Sequence, residues 1–142
     1  MKFKLSIIFI LVLALVGCAS KKHVELKIGN AKVKAEVVSS LVSRAQGLSG
    51  REFLAQNQGM LFVFDEPARY SFVMREMKFP LDIIFIRNNK IVDFTENLPV
   101  PEPGEDSANY TTKEPANYAL EVNAGFIQQH ELKVGDGVDI GR

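Results

Sequence analysis

PLDIIFIRNNKIVDFTE, residues 80–96, decides the fold of this chain. Pro80 opens an apolar run over 81–86 that only Asp82 interrupts. Its length and the turn residues beyond it fit a buried strand. Asn88-Asn89 is a turn that tolerates positive φ, and residues 90–96 run back from it. The stretch predicts an antiparallel hairpin.

The rest of the chain follows the same pattern. Residues 24–28 alternate with period two, Gly29-Asn30 signals a turn, and residues 31–38 alternate again. Ala31, Val33, Ala35 and Val37 share one face, while Lys32, Lys34 and Glu36 share the other. That predicts another hairpin. Ser39 and Ser40 are candidate helix caps. Over 41–58, Leu41, Ala45 and Leu48 form a helical stripe, which Gly47 and Gly50 break into short turns. Residues 59–64 read as an apolar strand stopped by Asp65-Glu66-Pro67, and 70–74 and 118–122 as further strands. Residues 98–106 hold three prolines and one glycine and predict a loop. Asn123 stands where it would cap a short helix over 124–130. Gly135-Asp136-Gly137 turns the chain into a last strand. About eight short strands with close turns predict a mainly β domain, a small antiparallel sandwich or barrel with short helical insertions. Strands alternating with long helices are missing from the pattern, which argues against a parallel α/β sheet.

A length of 142 residues suits one domain. The chain opens MKFKLSIIFILVLALVGCAS, with Lys2 and Lys4 before a run over 5–16 that is apolar except for Ser6. As a helix this run spans about 18 Å, against about 30 Å for a bilayer core. It fits a signal peptide over 1–17 better than a membrane span. Leu15-Val16-Gly17-Cys18 resembles the bacterial lipobox. The resemblance implies cleavage before Cys18, acylation of Cys18 with chains such as palmitate, a lipidated tether over 18–23 and one folded domain over 24–142. Two or three acyl chains hold a soluble domain at a membrane where one does not. The domain would then be exported and face the periplasm or the cell surface. Ala19 after the cysteine favours the outer over the inner membrane in a Gram-negative cell.

Lys+Arg and Asp+Glu each number 17. Without Lys2 and Lys4 the balance is 15 basic against 17 acidic, a net of −2. Nucleic acid is not an expected partner, because such a surface needs a basic excess to release counterions. Cys18 is the single cysteine, so no internal disulfide or Cys-built zinc site is available.

Arg44-Ala45-Gln46-Gly47-Leu48-Ser49-Gly50-Arg51 and Gly59-Met60-Leu61-Phe62-Val63-Phe64 stand out as blocks. So do Phe72-Val73-Met74-Arg75, Pro80-Leu81-Asp82-Ile83-Ile84-Phe85, Leu120-Glu121-Val122-Asn123-Ala124-Gly125 and Val134-Gly135-Asp136. In this order they resemble the bacterial and archaeal family called domain of unknown function 192. The resemblance covers nearly the whole chain after the tether. It implies a compact β-rich domain, often exported, and supplies no established reaction. The chain departs from the family pattern at Val73, where Trp is usual, and at Met77, where Thr is usual. Its Pro-rich loop lacks the cysteine that many members carry.

Arg44 and Arg51 lie seven residues apart, and helical turns between them would project both to one side. Asp82 heads an apolar strand, and Glu121 sits within Ala119-Leu120-Glu121-Val122. Carboxylates in such places are costly to bury unless paired. Either the arginines pair with them and pin the 41–58 segment to the sheet, or the four groups line a pocket. The guanidinium fork suits a carboxylate or phosphate there, so the ligand expected is small and polar or anionic.

The leading expectation is a tethered, non-catalytic domain that binds such a ligand or an envelope partner protein. A second reading is an envelope hydrolase with Asp82 and Glu121 as acid and base. A third is an assembly factor acting through the Pro-rich loop. No nucleophile with a base is evident, since the histidines are His23 in the tether and His130 near a helix end. No cofactor is expected. Met60, Met74 and Met77 have thioethers suited to Cu(I). Met60 lies in an apolar run, and on a strand Met74 and Met77 would point to opposite faces, so core packing is expected and metal is not.

Overall fold

The computed structural model describes residues 22–104 and 107–141. Residues 1–17, expected to be a signal peptide, and Cys18 lie outside the described residues. Among those described, no helix is long and apolar enough to cross a membrane.

In chain order the strands and helices are β1 (His23–Ile28), β2 (Ala31–Val38), α1 (Leu41–Gln46), β3 (Gln58–Ala68), β4 (Ser71–Val73), β5 (Leu81–Arg87), β6 (Lys90–Leu98), β7 (Asn109–Thr111), β8 (Ala116–Asn123), α2 (Phe126–Gln129) and β9 (Val138–Ile140). The domain is mainly β with two short helices. Seven strands form one curled sheet, a half-barrel, in the order β6-β5-β8-β3-β2-β1-β9. β4 and β7 form a separate ribbon. Both predicted hairpins are present, β1 with β2 and β5 with β6. Asn88 and Asn89 take φ of 52° and 58°, and two successive positive φ values match the twist of the strands they join. The sheet edges meet at this turn: Lys90 bridges Gly137, and the Val138 N–H donates to the Asn89 carbonyl at 2.8 Å.

Strand alternation divides the apolar residues between two faces. Leu26, Ile28, Val33, Leu61, Ile84, Leu120 and Val122 pack on one, closed by Phe126 and Ile127 of α2. Ile91 and Val138, from opposite edges of the sheet, both enter this core, so it is the inside of the curl. The outer face carries Met60, Phe62, Ile83, Phe85 and Ala119, packed with Leu48, Leu54, Phe72, Met74 and Met77. Each large side chain buried in these cores contributes about 1.5–3 kcal/mol. The three methionines are thus core residues, and Met74 and Met77 reach the same core because a turn, not a strand, joins them: the Met77 N–H donates to the Met74 carbonyl at 3.3 Å.

Several expectations need correction. β2 and β3 pair in parallel. Residues 39–57 supply the crossover of a dozen or more residues that a parallel pair requires. β3 runs on past Pro67, because the ladder to β8 shifts register between Val63 and Ala68 and the missing proline N–H is not needed there. α1 is capped by Ser40, whose Oγ accepts the Ser43 N–H at 3.1 Å, but its stripe does not pack. Leu41 is 79% exposed and no residue of the helix is buried; only Leu48, beyond its end, enters a core. Asn123 does not cap α2. Its side-chain amide donates to the Leu54 carbonyl at 2.9 Å, and the helix starts from Gly125 at φ 84°. β7 lies in a stretch that carries no clear strand pattern.

Candidate functional site

Register sets one row of side chains across the outer face. Glu36 of β2 lies beside Met60 of β3, Met60 opposite Glu121 of β8, and Glu121 opposite Ile83 of β5. Partners in register share a face, so two carboxyl groups stand on the outer face with a methionine between them. Gly59 lets β3 and β8 approach closely here: a Cβ at that position would lie 2.7 Å from the Glu121 carbonyl oxygen.

Residues 47–54 fold over the row. The Gly50 N–H donates to the Glu76 carbonyl at 3.0 Å, and Ser49 Oγ donates to the Arg75 carbonyl at 2.9 Å. From this cover Arg51 reaches Glu36, Nη2 to Oε2 at 2.7 Å. Glu121 is buried, and its Oε2 has no hydrogen-bond partner. Burial raises its pKa from 4.5 to about 8, against the opposing pull of the Arg51 guanidinium. The group is therefore a neutral carboxylic acid in neutral solution.

Glu121 lies in the wall of a cavity of about 270 Å³ between α1 with its following turns, β3 and β4. Leu48, Phe62, Phe72 and Met77 line its apolar part. Phe62 and Phe72 meet edge to face with centroids 5.1 Å apart. Two guanidinium groups line the same cavity. Arg44 Nη1 donates to the carbonyls of Ser39 and Val63 at 2.6 and 2.8 Å. Its guanidinium lies 5.0 Å from the centroid of the Phe64 ring, which stacks on Tyr70. The Nε and Nη2 hydrogens of Arg44 have no partner among the described residues. Arg75 is exposed and donates one long bond, Nη2 to the Ala45 carbonyl at 3.3 Å.

Of the four residues singled out from the sequence, Arg44 and Glu121 line one cavity. Arg51 stands beside it, bonded to Glu36 while its charge acts on Glu121. Asp82 is elsewhere. It pairs in register with Val122, one step from Glu121, and so faces the interior of the curl. Its oxygens accept the N–H groups of Asn97 at 2.8 Å and Ile127 at 3.0 Å. The expected convergence of all four groups therefore fails at Asp82. The sheet separates the two carboxyls, and they cannot act as an acid–base pair on one substrate. Among the described residues no group of three or more His, Cys, Asp or Glu side chains is placed to hold a metal ion.

Sequence reading missed Glu36 and Arg75. Glu36 looked like part of a solvated lysine face. Val38, apolar and on that same face, was the sign that the far end of β2 is covered on both sides. Nothing local marks Arg75, whose place follows from the turn after β4.

The DUF192 family model, described as an uncharacterised ACR, matches residues 24–140, and the chain belongs to that family. A protein of Sinorhizobium meliloti, provisionally called a transcription regulator, has a similar structure. It shows a TM-score of 0.77 and 29% identity, over 87% of this chain and 98% of that one. A protein of unknown function from Novosphingobium aromaticivorans is similar too, with a TM-score of 0.76 and 26% identity, over 87% of this chain and 89% of the other. No curated protein matches.

Proposed function

We propose that this DUF192 protein is a membrane-tethered envelope domain that binds a small anionic ligand with an apolar body and performs no chemistry on it. One observation carries the reading. A single cavity combines apolar walls, two guanidinium groups and a buried carboxyl oxygen with no partner. Leaving such a group unsatisfied costs about 1–3 kcal/mol. Costs of that kind are kept where a site needs them. The cavity measures about 270 Å³. A short fatty or aromatic acid is of that size. The hydroxyls lining the cavity are engaged elsewhere and have no base behind them: Ser49 Oγ donates to the Arg75 carbonyl, Tyr70 Oη to the Glu66 carbonyl, and Ser71 Oγ bonds Thr111 Oγ1. That favours binding over turnover.

Export and acylation at Cys18 belong to the same proposal and rest on the lipobox-like Leu15-Val16-Gly17-Cys18. The Lys22 carbonyl already accepts the Val37 N–H at 2.8 Å, so the sheet begins four residues past that cysteine. The tether is then short, and the cavity works close to a membrane surface facing the periplasm or the exterior. The regulator name of the Sinorhizobium relative is not extended to this chain, because its balance after residue 17 is acidic, 15 basic against 17 acidic residues.

Thermal-shift measurements with 3-phenylpropanoate, hexanoate and benzoate, each against its neutral amide, test the site. The carboxylates should raise the melting temperature, the amides should not, and the double variant R44A/R75A should lose the response. A flat response to every carboxylate overturns the reading. Mass spectrometry of the Cys18 peptide from the membrane fraction tests the anchor.

A further inference from the structure

We propose that the cavity takes up its anion together with a proton held on Glu121, whose neutral carboxyl donates a hydrogen bond to the ligand's oxyanion. This rests on the binding reading above and concerns how the same site selects its ligand.

The geometry of Glu121 is the starting point. Glu121 lines the cavity, and its Oε2 is buried with no hydrogen-bond partner among the described residues. This carboxyl group would gain a partner from an occupant of the cavity. As an acid it offers one O–H donor, and as a carboxylate it offers none. The groups around it decide which occupant fits. Arg44 comes from α1, Arg51 from the turns that follow, and Arg75 from the turn after β4. Glu36 of β2 is already bonded to Arg51. Met60 of β3 and Ile83 of β5, the register neighbours of Glu121, do not titrate. Tyr70 stacks on Phe64 and spends its hydroxyl on the Glu66 carbonyl at 2.7 Å.

Three guanidinium groups against one other carboxylate make the surroundings favourable to an anion and unfavourable to an ammonium group. An ionised Glu121 would repel that anion. A protonated Glu121 would meet it with an O–H···O⁻ bond, about twice as strong as a bond between neutral groups. Burial holds the proton on Glu121 up to about pH 8, so the donor is present in neutral solution. Above that pH, binding must draw one proton from solvent for each anion bound, and affinity falls by up to about tenfold per pH unit.

Titration calorimetry of the full chain in detergent, with 3-phenylpropanoate, hexanoate and benzoate as probes, tests this from pH 6 to pH 10. The probes remain ionised throughout. The expected result is constant affinity below about pH 7.5 and a fall of about tenfold per unit above pH 8. Parallel titrations in buffers of different ionisation heat should show uptake approaching one proton per ligand at high pH. E121Q should lose the pH dependence, whatever its affinity. Binding that persists with flat affinity and no proton uptake overturns this inference and leaves the binding reading standing. Affinity that rises with pH overturns it too, because the anion would then bind better to the protein whose Glu121 has lost its proton. No binding by any probe at any pH removes the binding reading itself. Proton uptake is read on the unaltered protein, so the test survives if E121Q folds poorly.

Discussion

Replacing Glu121 by Gln removes a titrating group from the interior and should make the domain more stable as pH rises. The carboxyl has a pKa of 4.5 in the unfolded chain and about 8 in the folded one, because burial penalises its charged form. Below pH 4.5 both states hold the proton, and ionisation of the group costs nothing. Between pH 4.5 and 8 the unfolded chain releases the proton while the folded chain keeps it. The folded state then binds more protons, so unfolding free energy falls as pH rises, by about 1.4 kcal/mol per unit. At pH 7 the loss is about 3 kcal/mol, and it levels off above pH 8 at about 5 kcal/mol. A domain of this kind has only about 5–15 kcal/mol in all, so the effect is large. The assay is urea denaturation from pH 4 to pH 8. The chain has no tryptophan, so far-ultraviolet circular dichroism is the suitable signal. The Gln amide adds an offset that does not vary with pH, and all other titrating groups are common to both proteins. The gap between the E121Q and wild-type curves should therefore widen by about 3 kcal/mol between pH 4.5 and 7. Parallel curves would refute the reasoning, because they would mean that Glu121 ionises in the folded protein as it does in water.

D82A should lower stability by about 3 kcal/mol, because the N–H groups of Asn97 and Ile127 lose their acceptor; a change below about 1 kcal/mol in urea denaturation counts against this. R51A should cost about 1–2 kcal/mol, since the pair with Glu36 is only partly buried, at 31% and 13% exposure. It should also move the midpoint of the E121Q-minus-wild-type pH difference upward, as Glu121 loses the guanidinium that pulls its pKa down. G59A should cost about 3 kcal/mol or prevent folding, because the new Cβ meets backbone oxygen at 2.7 Å and Val33 and Leu120 at 3.1 Å. A G59A protein with unchanged melting temperature would show that β3 and β8 can separate freely.

What the sequence makes legible here is local. The 80–96 hairpin could be read because Asn88-Asn89 carries its own turn geometry. Ser40 could be read as a cap because capping involves only the next three residues. The β2–β3 pairing could not, since nothing within either strand states which edge the other will join or in which direction. Pro67 seemed to stop β3 because the offset that excuses its missing N–H is a property of the ladder with β8, about fifty residues away. Leu41, Ala45 and Leu48 suggested a stripe of short helical turns that packs, yet the six residues of α1 make fewer than two turns. Tertiary contacts, not periodicity, then decide what such a short segment buries. At the site, Glu121 and Asp82 were both recognisable as carboxyls set in apolar strands. Their facing depends on how β5 registers on β8, and that information is not local.

The contrast between these two carboxyls identifies where the molecule departs from plain structural economy. They lie on neighbouring strands, one register step apart, and both are buried. Asp82 turns inward and meets two N–H donors, Asn97 near the end of β6 and Ile127 at the start of α2. It thereby ties the sheet to the helix that closes the inner core. Glu121 turns outward, where the strand offers the same backbone and the same burial but no donor reaches Oε2. If that position were only structural, an apolar residue beside Met60 and Ile83 would be more stable by several kcal/mol at neutral pH. The cover of residues 47–54, instead of sealing the space above Glu121, leaves a cavity there with guanidinium groups in its walls. On the proposed reading, an unsatisfied acid in the wall of a cationic cavity is a site for an oxyanion, and the pH dependence of binding is the property that an accident of packing would not show.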